Sequence, residues 1–308
     1  MRSNASMAMP LASIRPRDVE DFSRWLRERP AVSTIVRGTG STRTKETRNL
    51  GRTISRSMQT NALRLVRGAL DEAVRHEFIE RNPAEKARIA RGSAAPRDLS
   101  DQWLRAPEID RLLACEEISL RDRTAFACAI GLGLRLGDLK HLEVSRVFLD
   151  TDVPGPHVLV DISKSAKWHR VPVMPWLMPW LRAHLATLPK KARFLFPATN
   201  GRPYCKSHDF GWGVTIERRQ VGRGEARKLA TVRTPGALER AGVTRRIRFH
   251  DLRGTTATHL ALGSWGRTWS LHEIQSMLAH SDQRVTERYV RRVIDTLSDA
   301  ARNTRKGP

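Results

Sequence analysis

Cysteine is scarce. The 308 residues hold three, Cys115, Cys128 and Cys205, widely spaced and odd in number. They form no CxxC pair and no disulfide framework, and a reducing cytoplasmic location is expected. No apolar run approaches the roughly 20 residues of a membrane span, and MRSNASMAMPLASIRP at the N-terminus lacks the apolar core of a signal peptide. The ten histidines include no HExxH, and no GxxxxGK[ST] is present to cradle a phosphate. The expectation is therefore a protein with no metal site and no cofactor. Acidic residues are also short: 32 against 55 Lys+Arg gives +23 and a pI near 11.3. Such an excess attracts a polyanion, DNA or RNA first. Lysine is scarce within it, 10 against 45 Arg. GC-rich codon usage and bidentate phosphate contact explain that bias equally well.

What is present reads as two domains, and 308 residues suffice for both. Residues 1–12 form a flexible tail. Pro16 and Asp18 open a helix with Val19, Phe22 and Leu26 at helical spacing. Pro30 to Thr44 reads as a loop. Leu50, Ile54 and Met58 then recur every four residues, as do Arg48, Arg52 and Arg56 offset by two. On a helix those rows lie roughly 200° apart, one face apolar and one of guanidinium groups suited to a DNA backbone. Gly51 weakens that helix by roughly 1 kcal/mol relative to Ala. A further helix from about Thr60 to Glu80 carries Leu63, Val66, Leu70 and Val74 and stops at Asn82-Pro83. This makes 13–90 a helical, basic, DNA-binding domain. The segment 91–105 is a linker, 106–303 a second domain, and 304–308 a tail.

The second domain starts at Ala106-Pro107, with Pro at the first helical position. A helix over about 121–132 leads to Arg135, placed after two glycines, with Asp138 three residues on. On local sequence alone these two read as a surface ion pair. Val158, Val160 and Ile162 alternate as a half-buried strand, Arg170 to Val173 returns, and Lys164 and Lys167 sit at the hairpin tip. Such lysines are ordinarily solvated; against DNA, an ammonium beside a leaving 5′-oxygen serves as its acid. Pro175 to Leu188 is a helix. Residues 212–248 read as a basic helix and loop, and the GRG at 222–224 lacks the alternating strands and helices of a dinucleotide site.

The most informative stretch is His250 to Tyr289. His250 and Arg253 lie three apart on one helical face. Arg253 is a fixed planar cation suited to phosphate oxygens, and His250 exchanges a proton near neutral pH. Leu271, Ile274, Met277 and Leu278 stripe the next helix. His280 and Tyr289, nine positions apart, then bring a second imidazole and a phenol within reach of the same spot. By itself Tyr289 reads as a packed residue, since Val285 and Val293 share its helical row.

Four pieces, GLRLGDLKHL at 133–142, KSAKWHRVPV at 164–173, HDLRGTTATHL at 250–260 and LAHSDQRVTERYV at 278–290, give the second domain a resemblance to the catalytic domain of the tyrosine recombinases, the phage-integrase family. They follow the family's order over about 160 residues. The first domain is similar, more weakly, to the family's helical core-binding (SAM-like) domain, ending in VRHEFIERNPAE at 74–85. The resemblance implies a mainly α fold with a small antiparallel β-sheet, in which a helical N-terminal domain precedes an α+β catalytic domain.

It also implies roles. Arg135 matches the first catalytic arginine, Lys164 the hairpin lysine, His250 and Arg253 the HxxR pair, His280 the third-motif histidine and Tyr289 the nucleophile. Asp138 matches a supporting acid, while Arg48, Arg52, Arg56 and Lys167 are candidate DNA contacts. Two positions depart from the family pattern: Ala279 stands where Gly is common, and Gly254 where His is. The implied activity is site-specific cleavage and rejoining of double-stranded DNA through a 3′-phosphotyrosine, without metal, ATP or cofactor. It serves integration or excision of a mobile element or phage, or the resolution of dimers, among which the sequence does not decide. A homotetramer on paired recombination sites is implied, with residues 291–303 docking on a neighbour and accessory DNA-bending proteins setting direction. No arm-binding domain is read before residue 12. The competing readings are a catalytically silent DNA-binding protein of the same fold, a type IB topoisomerase-like enzyme, and a basic RNA-binding or structural protein.

Overall fold

The computed structural model describes residues 9–37, 44–89, 102–162, 167–204, 208–221, 228–279 and 287. The chain divides into two compact units, Met1–Pro96 and Arg97–Pro308.

In the first unit, α1 (Pro16–Glu28) begins with Pro at its first turn, and the Asp18 carboxylate accepts from the Arg15 N–H at 2.8 Å. It packs Val19 against Leu63 and Leu70 of α2 (Arg56–Arg75), with Ala84 and Ile89 completing a small core. Ser55 caps α2 by accepting from the Met58 N–H. The helix ends at Arg75, short of the Asn82-Pro83 stop, because Glu77 adopts a left-handed φ of 59°.

Between the helices the structure corrects the sequence reading twice. Pro30–Arg37, read as a loop, is strand β1, and Thr44–Thr53 is its antiparallel partner β2. Arg48 and Arg52 therefore stand on a strand, and Arg56 begins α2. Leu50 and Met58 are exposed, 43% and 57%, so the supposed apolar face buries little. The reason is a degeneracy of period: residues four apart share a face in a strand as well as in a helix. Val32, Thr34, Ile35 and Val36 favour the strand. At Gly51, φ is +65° and the N–H donates to the Asn49 side chain at 2.9 Å, a conformation no helix interior accepts. Among the described residues the first unit thus holds a short 3-10 turn at Leu11–Ser13, two α-helices and a hairpin.

The second unit holds the large core. Among the described residues its α-helices are α3 (Ala106–Ala114), α4 (Leu120–Gly131), α5 (Leu136–Lys140), α6 (Met178–Thr187), α7 (Ala237–Arg240), α8 (Leu252–Leu262) and α9 (Leu271–Met277). A three-stranded antiparallel sheet, β3 (Val147–Phe148), β4 (His157–Ile162) and β5 (Lys167–Pro172), pairs Val158 with Val171 and Val160 with His169. Phe126 of α4 lies fully buried against Trp212 and Phe249, in edge-to-face ring contacts. Residues 212–248 are a third correction. Instead of a basic helix they form the two-stranded hairpin β6 (Thr215–Val221) and β7 (Lys228–Thr234) before α7. Ile216, Val221, Val232 and three threonines supply the β-branched character that the arginines masked. Among the described residues no helix is long and apolar enough to cross a membrane.

Candidate active site

The site is built around α8, whose residues from Leu252 to Leu260 are all buried. Its register is set by hydroxyls and an imidazole. Thr256 Oγ1 donates to the Ile130 carbonyl of α4 at 2.7 Å, Thr255 Oγ1 accepts from the Leu104 N–H at 3.0 Å, and the His259 ring donates to the Leu104 carbonyl at 2.8 Å. A short 3-10 turn, Phe249–Asp251, feeds this helix and is pinned by Asp251, which accepts from the Arg248 N–H and pairs with its guanidinium. His250 and Arg253 leave from the two sides of that junction.

Arg253 is the buried centre, 5% exposed. Its Nη1 donates to the Gly133 carbonyl at 2.6 Å and its Nη2 to the Leu278 carbonyl. One guanidinium therefore ties together the backbone two residues before Arg135 and two residues before His280. The approach is close. Gly133 has φ +62°, and a Cβ there would meet Leu278 Cδ2 at 2.3 Å, so only glycine fits both the turn and the contact.

Arg135 caps the N-terminal side of α5 and projects half exposed, with Nη1 3.7 Å from the Asp138 carboxylate. The surface pair read from sequence is real, and it is also part of the site. Asp138 feels Arg253 as well as Arg135. Burial pushes its carboxyl pKa up, against the pull of both cations. His250 is shifted down, by partial burial first, then by the Arg253 guanidinium, with Arg248 and Arg135 adding to this and Asp251 opposing it. It is thus a neutral imidazole at pH 7, able to accept a proton.

Four of the seven residues singled out from sequence for the site, Arg135, Asp138, His250 and Arg253, are brought together. Lys164, His280 and Tyr289 lie outside the described residues, as does the Lys167 side chain at the start of β5. Arg48, Arg52 and Arg56 are exposed on the first unit. The described chain reaches Ala279, whose φ is +47°. An alanine there carries the left-handed strain that glycine avoids, roughly 1 kcal/mol. Ala279→Gly is accordingly expected to raise the melting temperature by a few degrees; no gain in a thermal melt would mean the turn relaxes around the methyl group. Gly254, the other departure from the family pattern, is buried within α8.

Sequence reading missed His169, whose Nε2 lies 2.8 Å from the Met277 carbonyl. It also missed the contact of Gly133 with Leu278. Neither carries a local signal, because both depend on segments more than a hundred residues apart. Among the described residues no group of His, Cys, Asp and Glu side chains is placed to hold a metal.

Comparison with known proteins agrees with this architecture. Residues 102–293 match the phage integrase family. Tyrosine recombinase XerC of Serratia marcescens is 28% identical over 232 residues, covering 74% of this chain and 67% of that protein. Among solved structures, the Tn1549 transposon integrase in complex with circular intermediate DNA has a TM-score of 0.58 at 16% identity, covering 92% of this chain and 82% of that one. A lambda integrase tetramer bound to a Holliday junction has a TM-score of 0.57 at 16% identity, covering 91% and 65%.

Proposed function

Since the chain belongs to the phage integrase family, a family of recombinases acting on DNA, we propose that it breaks and rejoins DNA at specific sites through a 3′-phosphotyrosine formed by Tyr289. The observation that carries this reading is the convergence on one guanidinium, Arg253, of the Arg135 turn, the α9 exit toward His280, and the His250 imidazole. In this reading Arg135, Arg253 and His280 hold the nonbridging oxygens of the scissile phosphate. Preorganised cations there stabilise the charge that builds in the pentacoordinate state. His250 takes the phenolic proton. A phenol with pKa near 10 needs such help at neutral pH. Lys164 protonates the leaving 5′-oxygen. The bond energy stays in the phosphotyrosine, so strand rejoining needs no metal or ATP.

We further propose that the first unit is the core-binding domain, with Arg48, Arg52 and Arg56 contributing phosphate contacts and Lys167 adding one from the second unit. A homotetramer would join paired sites, in the service of a phage or mobile element; the lambda integrase of similar fold is a tetramer bound to a Holliday junction. Accessory DNA-bending proteins would set direction.

The test is a nicked duplex carrying the inverted repeats that flank the gene. A covalent protein–DNA adduct on the 3′ side, and strand exchange only between paired repeats, are expected. DNA binding with no adduct would point to a silent binder. Relaxation of any supercoiled plasmid without a defined site would point to a type IB topoisomerase.

The electrostatics add a pH signature. Because the His250 pKa lies below its ordinary 6.5, the base form persists through neutrality and is lost as pH falls through the lowered value. The acid limb of kcat/KM for cleavage is therefore expected below pH 6.5, and His250→Gln should remove it while slowing cleavage roughly 10²- to 10⁴-fold. A limb that survives in the variant would assign the base elsewhere.

A further inference from the structure

Helix α9 ends in an unusual way. The last carbonyls of a helix have no partner within it, and here they are satisfied partly by the cap backbone and partly by side chains from other elements. The Ile274 and Ser276 carbonyls accept from the N–H groups of Leu278 and Ala279, at 3.0 and 3.1 Å. The next two, on buried Met277 and Leu278, accept from side chains of distant motifs: the His169 ring at 2.8 Å and the Arg253 guanidinium. Arg253 belongs to the HxxR pair. His169 belongs to β5, two residues after Lys167 and five after Lys164. A carbonyl only accepts, so His169 carries its proton on Nε2. Ala279, with φ +47°, follows and is the residue before His280 in sequence.

We propose that His169 is a positioning residue for DNA cleavage, which locks strand β5, three residues after Lys164 in sequence, to the α9 exit that precedes His280 and Tyr289. It acts through the Met277 carbonyl. Losing this hydrogen bond loosens β5 against the α9 exit. On the recombinase reading, the two segments so loosened are the ones that lead in sequence to Lys164 and to Tyr289. Small losses of alignment between reacting groups are costly in rate. The inference rests on the recombinase reading for its effect on rate, but the structural lock itself does not.

Three variants separate the donor from the ring. His169→Leu removes the donor, His169→Asn keeps a polar group too short to reach, and His169→Gln restores an N–H near the position of Nε2. Cleavage at saturating DNA is expected to fall at least tenfold in His169→Leu and His169→Asn, with DNA affinity within about twofold of the parent. The rate in His169→Gln should recover to within about threefold of the parent. Amide hydrogen exchange provides the second readout. The amides at 278–281 and along 160–170 should exchange faster together in the Leu and Asn variants, with those of α4 unchanged, and recover in His169→Gln.

Parental cleavage in His169→Asn, a defect wholly in DNA affinity, no recovery with Gln, or unchanged exchange would each overturn the proposal. If His169→Leu does not fold, the Asn and Gln pair decides. A parent protein that forms no covalent adduct would sink the recombinase reading instead, and exchange would still report on the lock.

Discussion

Replacing Tyr289 by Phe is expected to abolish covalent protein–DNA adducts, a loss on the order of 10⁴-fold or more, with DNA affinity within about twofold. The substitution removes one oxygen and keeps the ring, so packing is spared. On the proposed reading affinity comes from phosphate contacts of a chain with a +23 charge, and the substitution leaves that charge unchanged. The chain has two tyrosines, which sharpens the experiment. The other, Tyr204, stacks on His208 at a 3.6 Å centroid distance and its hydroxyl meets Arg121 Nη1. It has an explained place in the fold of the second unit. Tyr204→Phe should therefore leave adduct formation intact. Adducts that persist in Tyr289→Phe and vanish in Tyr204→Phe would overturn the assignment of the nucleophile. Loss of DNA binding along with adducts would instead mean that residue 289 supports the fold.

Arg253→Ala is expected to lower both stability and cleavage. In the folded protein the guanidinium satisfies the Gly133 and Leu278 carbonyls in a site from which water is largely excluded. Truncation leaves both without that donor, at roughly 1–3 kcal/mol for each buried group. Relief of the cost of burying the charge offsets part of that sum. A net loss of roughly 2–4 kcal/mol follows, readable in a urea or thermal melt. Cleavage should fall by roughly 10³-fold or more, because one cation on the phosphate and the alignment of two motifs disappear together.

Arg253→Lys separates these contributions. The charge persists, but an ammonium lacks the fork that spans both carbonyls. It should recover little of the alignment and remain at least about tenfold slower than the parent. Arg135→Ala is the contrast. Its side chain is about half exposed and its pair with Asp138 is 3.7 Å long, so stability should change by less than about 1 kcal/mol while cleavage still falls steeply. Equal stability losses in the two alanine variants would contradict the buried tie inferred for Arg253.

The elements legible in the sequence are those whose periodicity has a single interpretation. The stripe of Leu271, Ile274 and Met277 is compatible only with a helix, and α9 spans it. The alternation of Val158, Val160 and Ile162 is compatible only with a strand, and β4 spans it. Where the period was four, as in Leu50, Ile54 and Met58, helix and strand are degenerate, and Leu50 stands on strand β2 while Met58 stands on helix α2. The β6–β7 hairpin was hidden because its strands carry charge on a ribbon with no third strand among the described residues, leaving no apolar face to alternate.

For the site, the chemistry of the side chains could be read residue by residue. Arginine suits phosphate wherever it stands, and histidine titrates near neutrality. The sequence by itself therefore determined the inventory: which groups exist, their order, and that a basic chain holding them would act on DNA. Only the tertiary structure decided how the inventory is held. That Arg253 bridges residue 133 to residue 278, that Asp138 feels two guanidinium groups, and that His169 reaches Met277 all depend on contacts between segments more than a hundred residues apart in sequence. Hydrogen bonds and Coulomb interactions act over a few ångströms of space, and the linear order of residues does not encode those separations until the core has packed.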